Sequence, residues 1–225
     1  MVVADVDRTG DRLPKQGKRA AGVARTRQRI LGAVRQVLLR DGSDRLNVSQ
    51  LIKVAGVARS TVHYQFDSRQ GLLEEVLRDA VSAAQVDWLG PAREVPDPEE
   101  AVEAIVVQAC RAWAADQVLF RRLMALSAID QEAHRAVEVL EDERQRGIDQ
   151  LVKRLSAEQQ LRLECPPRRA RTILSLATSF WTFDRLLEET LSRVETCGIL
   201  VDMARSILSP GAWRRVGMIG GENSS

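Results

Sequence analysis

The sequence predicts an all-α protein of about nine helices, and three observations support this fold class. Leu, Ala, Val, Arg and Glu dominate the composition, which favours helices over strands. Apolar residues recur three and four positions apart along most of the chain, whereas period-two runs of β-branched and aromatic residues are scarce. Residues that typically begin and end helices separate these segments. We therefore expect an N-terminal three-helix domain followed by a larger helical domain.

Charge is distributed unevenly along the chain. The formal net charge is only +2, but residues 1–69 hold 14 Lys and Arg against 6 Asp and Glu, while the remainder holds 19 against 25. A basic first third followed by an acidic remainder indicates that only the first third meets a polyanion. An uneven but merely solvated surface is the alternative interpretation.

The residues that enzymes and metal sites require are sparse. Cys110, Cys165 and Cys197 are far apart in the sequence, and no CxxC or Cys/His cluster occurs, so we expect reduced thiols and no metal. With two histidines and no nucleophile elbow, phosphate loop or HExxH motif, we expect neither enzymatic activity nor a cofactor. The first 25 residues lack the apolar run of a signal peptide, and no stretch approaches the ~20 apolar residues of a membrane span, so we expect a cytoplasmic protein.

The domain boundaries follow from turn-forming residues. Gly90-Pro91 and Pro96-Asp97-Pro98 interrupt the helical pattern, and we place the boundary there or in the helix before it. The second domain is expected to contain helices at 99–115, 117–128, 131–157, 167–189 and 192–208. The predicted organisation is a flexible basic arm (1–24), a three-helix domain with a linking helix (25–89), a larger helical domain (90–209) and a flexible tail (210–225).

Two short helices in the basic third are joined by a turn that suits a helix-turn-helix. Asn47 can cap the first of them, with Gln50 as its capping-box partner. Gly56 can supply the positive φ that the turn requires. The second helix, about 59–65, is followed by a longer helix that begins after Asp67 or Ser68 and runs to about Trp88.

The second short helix has the composition of a DNA-reading helix. Val62 and Phe66 lie four residues apart and are expected to anchor it to the core. The polar side chains between them then face outward, where an Arg can pair with a guanine edge and hydroxyls suit phosphates. The expected outward-facing residues are Arg59, Ser60, Thr61, His63 and Tyr64.

The segment from Arg29 to Leu77 resembles the DNA-binding domain of the tetracycline-repressor (TetR) family. The matching sequence is RQRILGAVRQVLLRDG, followed by NVSQLIKVAGVARSTVHYQFDSRQGLLEEVL. The resemblance covers about 50 residues and includes the AGV turn, the Thr-apolar-aromatic run, the Phe and the start of the fourth helix. It implies DNA contacts by Asn47, Ser49, Gln50, Arg59, Ser60, Thr61, His63, Tyr64 and Arg69.

Four positions depart from the pattern of that family. Ala58 replaces a usual Ser cap, so the reading helix is expected to begin with less support. His63 and Gln65 stand where aromatic residues are common, and Ile52 replaces a usual Ala. These departures bear on operator identity more than on the fold.

The arm before the first helix either follows a neighbouring minor groove or is a solvated tail. Its cations are Lys15, Lys18, Arg19, Arg25 and Arg27.

The resemblance also implies a homodimer that binds a palindromic operator. The last two long helices, 167–189 and 192–208, are expected to pair with their mates. The final helix carries an apolar stripe that serves either this pairing or packing within one subunit. The stripe consists of Val194, Cys197, Val201, Ala204 and Ile207 or Leu208.

A small-molecule pocket in the second domain is a further implication of the resemblance. Arg144 and Asp184 fall inside apolar helix faces, where a charge is costly unless it is paired. They are either an internal ion pair or groups that orient a polar ligand in an apolar cavity. The candidate ligand-binding residues are Trp113, Phe120, Met124, Glu141, Arg144, Phe180, Trp181 and Asp184.

The predicted function is a DNA-binding transcriptional regulator, with a repressor released by a small-molecule effector as the first interpretation. A constitutive helix-turn-helix protein without an effector is the alternative. The sign of regulation depends on promoter position, so an activator stays open.

Overall fold

The computed structural model describes residues 14–41 and 48–209, with side chains for residues 20–40 and 49–209. Within these ranges the chain forms eleven helices, and the extended pairing is a single bridge between Leu161 and Leu208. The all-α prediction is therefore confirmed. The helices are α1 (Pro14–Asp41), α2 (Val48–Ala55), α3 (Arg59–Phe66), α4 (Arg69–Ala83), α5 (Gly90–Glu94), α6 (Pro98–Ala115), α7 (Gln117–Ser127), α8 (Gln131–Ala157), α9 (Pro167–Ala177), α10 (Phe180–Thr190) and α11 (Arg193–Arg205).

The first helix begins earlier than its apolar pattern indicates. It starts at Pro14 rather than near Arg25, so part of the segment predicted as a flexible arm is helical. Proline is favoured at the first helical position because its missing N–H needs no partner there. The residues described between Ala20 and Arg25 are mostly exposed, so this part has no buried stripe for periodicity to detect. Residues 1–13 and the predicted tail 210–225 lie outside the described residues.

The fourth helix begins as expected and ends early. Ser68 is its N-cap, and its Oγ accepts a hydrogen bond from the Gly71 amide at 2.9 Å. The helix ends at Ala83 rather than near Trp88, and Gln85 follows with a φ of 53°. A left-handed residue at this point ends the helical path. The unpredicted α5 then forms at Gly90-Pro91.

Three aspartates begin the helices that form the centre of the second domain. Asp97 and Asp130 accept backbone hydrogen bonds at 2.9 Å as the N-caps of α6 and α8, and Asp116 caps α7 at 3.3 Å. Such caps satisfy amides that have no partner within the helix. Because caps are local signals, the observed α6, α7 and α8 agree closely with the predicted segments.

The helix predicted over 167–189 is two helices, because side chains bind the carbonyls that a continuous helix would use. Arg144 donates to the Ser175 carbonyl at 3.1 Å, and the Trp113 indole donates to the Thr178 carbonyl at 2.9 Å. The Ser179 amide bonds back to Leu176 instead of Ser175. This break and the short α5 account for eleven helices rather than about nine.

Both predicted domains contribute to one continuous apolar core. Helix α4 of the first domain packs along α8 of the second. Gly147 on α8 permits a close approach, since a Cβ there would lie 2.2 Å from the Trp88 carbonyl oxygen. The reading helix is therefore carried on a scaffold that continues into the second domain. Within the described residues, none of the helices is both long and apolar enough to span a membrane.

Candidate nucleic-acid interface

Helix α3 is a short rod that is anchored on one side and open on the other. Val62 and Phe66 are 7% and 6% exposed, whereas Tyr64 is 82% exposed. Gly56 in the turn before it has a φ of 59°, and the Val57 amide bonds to the Ile52 carbonyl across the turn. Ala58 is the N-cap and forms no side-chain cap, as its residue type predicts. The result is a helix whose polar face is available to a groove.

Arg27 holds the end of α3 in place. Its guanidinium donates to the Gln65 carbonyl at 3.0 Å, pairs with Glu75 at 2.8 Å and lies 4.7 Å from the centre of the Phe66 ring. The planar guanidinium suits this arrangement, in which it bonds to two partners and stacks on a ring. Arg27 was predicted as one of the arm cations, but these contacts make it a positioning residue between α1, α3 and α4. The sequence offers no local signal for this role.

The predicted DNA-contact residues share one open surface in part. Arg59, Ser60, His63 and Tyr64 are exposed on α3, and Thr61 is half-buried beside them. On α2, Ser49 and Gln50 are exposed, together with Lys53, which was not among the predicted contacts. Lys53 follows them by four and three positions, the spacing of one helix face. This spacing is the sequence signal that places Lys53 beside Ser49 and Gln50.

Several predicted positions cannot be placed on this surface. Asn47 and the side chains of Lys15, Lys18 and Arg19 lie outside the described residues. Arg25 is exposed, and its Nε donates to the Ala21 carbonyl at 3.3 Å.

Arg69 forms ion pairs with the start of α8. Its Nη1 is 2.8 Å from Asp130 and 2.9 Å from Glu132 at the start of α8, and its side chain is 15% exposed. The ion pairs hold the pKa of Asp130 below and that of Arg69 above their ordinary values, in the case of Arg69 against the opposing effect of burial. Arg69 thus joins α4 to the start of α8, and its contact with a phosphate stays a prediction.

Comparison with known proteins identifies this arrangement. Residues 30–76 match the model of the bacterial regulatory proteins of the tetR family. This match spans α1 from its first buried residue, both short helices and half of α4. This segment of the chain is therefore similar to the DNA-binding segment of that family. The resemblance predicted from the sequence is confirmed over these residues.

Solved structures of regulators share the fold of this chain over most of its length. NalD, the secondary repressor of the MexAB-OprM multidrug efflux pump in Pseudomonas aeruginosa, is 20% identical with a TM-score of 0.65, covering 83% of this chain and 97% of its own. SmeT in complex with triclosan is 15% identical with a TM-score of 0.66, covering 89% and 99%. A TetR transcription regulator from Haloarcula marismortui is 13% identical with a TM-score of 0.60, covering 83% and 100%. No curated protein matches this chain significantly.

Most of the aromatic residues predicted to line a pocket pack against one another. The Trp113 ring lies 5.0 Å from Phe120 and 5.7 Å from Phe180 between centroids, in edge-to-face geometry. All three are at most 1% exposed, and Met124 is 7% exposed. Trp181 instead is 53% exposed. Edge-to-face packing of this kind fills a core, so these rings leave each other little space for a ligand.

Arg144 and Asp184 are not paired with each other, and the ion pair considered between them is wrong. Arg144 is 4% exposed and pairs with Glu141. Its Nη1 also donates to the Thr178 hydroxyl at 2.5 Å. Asp184 accepts hydrogen bonds from Arg121 at 2.8 and 2.9 Å and from a neighbouring amide, that of Gln117, at 2.7 Å. Arg144 therefore has its charged partner within α8, whereas Asp184 of α10 has its partner on α7.

The apolar stripe of the last helix packs mostly within the subunit. Val201, Ala204 and Ile207 are at most 7% exposed, whereas Val194 is 84% exposed. Of the two alternatives, packing within one subunit describes most of this stripe. Large apolar side chains are exposed at other positions of the last helices, namely Leu176, Trp181, Leu191 and Ile199.

Proposed function

We propose that the chain is a homodimeric repressor that binds a palindromic operator through α3 and leaves it when a small molecule binds the C-terminal domain. The observation that carries the DNA-binding part is the exposed polar face of α3. Its side chains project from a helix that Val62, Phe66 and Arg27 hold rigidly. A rigid short helix is what the major groove admits.

A homodimer follows from the size of the reading surface and from the last helices. One helix-turn-helix reaches few bases, and a two-fold dimer doubles the contacts and selects an inverted repeat. Leu176, Trp181 and Ile199 are 52%, 53% and 41% exposed on α9, α10 and α11. Apolar side chains of this size on neighbouring helices favour a protein interface.

The proposed release by a small-molecule effector competes with the alternative of a regulator that binds DNA without an effector. The closely packed Trp113, Phe120 and Phe180 favour a regulator without an effector, since a ligand at this place must first separate the rings. A ligand that opens this cluster would bind one of two conformations better and thereby shift the population. Effector and operator must then weaken each other by the same factor.

Selection of bound fragments from random DNA, at stated salt, tests the first part. We expect an inverted repeat whose half-sites are one helical turn apart, about 10 base pairs. Enrichment without sequence preference, with affinity that falls steeply with salt, would contradict operator recognition.

Titration of the selected operator in the presence of a panel of small apolar compounds then tests release of the operator by an effector. Affinity that none of them changes would support the constitutive alternative.

A further inference from the structure

Two cysteines that are far apart in the sequence meet between α6 and α11. Helices α6 and α11 pack against each other, and the Cys110 and Cys197 thiols are close enough to interact. Both residues line the same open groove, of about 560 Å³, between these helices. Cys110 is 7% exposed, whereas Cys197 is partly exposed. The pair is thus accessible from the groove on the Cys197 side.

The two thiols differ in acidity. The hydrogen bond from Cys110 lowers the pKa of Cys197 to about 7, although burial and the Glu103 carboxylate act in the opposite direction. The same hydrogen bond, together with burial, raises the pKa of Cys110. Cys165, in the connection between α8 and α9, has its pKa raised by burial. Near pH 7 about half of the Cys197 side chains are therefore thiolates, while Cys110 keeps its proton.

We propose that Cys110 and Cys197 are a redox site. A hydroperoxide oxidises the two thiols, which form a reversible intramolecular disulfide. The Cys197 thiolate attacks the terminal peroxide oxygen, the O–O bond breaks, and the leaving alkoxide or hydroxide takes a proton from solvent. Cys197 is then a sulfenic acid. The Cys110 sulfur attacks the Cys197 sulfur, the S–O bond breaks, and hydroxide leaves as water with the Cys110 proton. Two thiols lose two electrons, and the hydroperoxide is reduced to an alcohol, or to water, plus water.

The position of the pair is compatible with this chemistry. Because α6 and α11 pack closely and both thiols line one groove, the two sulfurs can approach to the ~2.05 Å of a disulfide. Ile199 follows Cys197 by two residues, so it lies on the opposite side of α11 at ~100° per residue. An interface between subunits through Ile199 leaves the groove open. The disulfide ties α11 to α6 covalently, and the inference does not depend on DNA binding.

Oxidation of the full-length reduced protein with hydrogen peroxide tests the site. We expect a cross-linked peptide that joins Cys110 to Cys197, with Cys165 still free to alkylation. The cross-link should disappear after dithiothreitol. Before oxidation, alkylation of Cys197 by iodoacetamide should be half-maximal near pH 7 and increase as the pH rises, because the thiolate is the reactive form.

Three single variants separate the roles, each checked for native helix content by circular dichroism. Cys110→Ser should leave a Cys197 sulfenic acid that dimedone traps, Cys197→Ser should abolish the reaction at Cys110, and Cys165→Ser should cross-link like the wild type. In the wild type, three results would overturn the proposal: two thiols that persist at tenfold excess of peroxide, a cross-link between chains at doubled mass, or oxidation of Cys165 as fast as Cys197.

Discussion

Gly56 carries the turn on which the presentation of α3 depends. Its φ of 59° lies in the left-handed region, and a Cβ at this position would meet no heavy atom within 4 Å. The cost of a side chain here is therefore conformational and not steric. Gly32, inside α1, has the same open space for a Cβ but a helical backbone. The two glycines thus form a matched pair.

We expect Gly56→Ala to lower the free energy of unfolding by about 1–2 kcal/mol, the cost of a left-handed backbone for an L-residue. Gly32→Ala should instead raise it by up to about 1 kcal/mol, since alanine favours a helix. Urea denaturation followed by circular dichroism measures both. A change of the same sign in the two variants would show that the turn does not require a positive φ.

Tyr64 and Arg59 are expected to contribute differently to DNA binding, although both are exposed on α3. Tyr64→Ala should weaken binding to every sequence by about 2- to 12-fold, the equivalent of one net hydrogen bond to a phosphate. Arg59→Ala should relax preference at one base pair, by about 1–3 kcal/mol. Titration of the operator and its single-base variants measures both effects. An equal loss of affinity for all sequences in Arg59→Ala would show that Arg59 contacts the DNA backbone instead of a base. Leu163→Ala, in the α8–α9 connection, is the control.

At the scale of helices, charged pairs fasten the first domain to both ends of α7. Arg35 of α1 lies 3.2 Å from Asp116, the cap of α7, and 3.0 Å from Asp79 of α4. Arg69 of α4 pairs with Asp130, the residue that caps the next helix, α8. The aspartates thus serve as helix caps and as partners of arginines in the reading domain.

The Arg69–Asp130 pair predicts a pH dependence of stability. Because Arg69 holds the pKa of Asp130 below its ordinary value of 3.8, the folded state binds this proton less readily than the unfolded state. The stability that the Arg69–Asp130 pair contributes is present above about pH 4 and is lost as the pH falls through the lowered pKa of Asp130. We expect Arg69→Met to shrink the loss of unfolding free energy between pH 6 and pH 3, measured by urea denaturation. An equally steep loss in the variant would contradict this role.

The break between α9 and α10 depends on Arg144. Arg144→Met leaves the Ser175 carbonyl and the Thr178 hydroxyl without this donor, and we expect a loss of about 1–3 kcal/mol of unfolding free energy. Arg146→Met on the exposed side of the same helix is the control and should stay within about 0.5 kcal/mol. Thermal and urea denaturation measure both. Equal effects of the two substitutions would show that the buried contacts of Arg144 contribute nothing specific.

For the whole molecule, the exposed apolar residues of the last helices predict how two subunits meet. Ile199→Glu places a charge in an apolar interface, where an unpaired charge is costly, and we expect the mass in light scattering to fall to that of one chain. Operator affinity should fall with it, because half of the reading surface is lost. Leu163→Glu, at a 99% exposed site, should leave the dimer intact. A dimer that survives Ile199→Glu would place the interface elsewhere.

Local signals made much of the fold predictable. The Gly56 turn, the Ser68 cap and the helix over 131–157 could all be read from neighbouring residues, because caps, turns and helical periodicity involve residues only a few positions apart. The same is true of the buried Val62 and Phe66 in the reading helix. The family resemblance rested on this contiguous segment, and the match over residues 30–76 confirms it.

Contacts between distant segments could not be predicted in this way. Arg69 pairs with Asp130, Arg144 and Asp184 have different partners, and Cys110 meets Cys197. Spacing along the chain shows that a charge lies on a helix face, but it does not show which helix packs against that face. A buried charge or thiol takes its partner from whichever element lies within a few ångströms, and only the packing of the helices sets that distance.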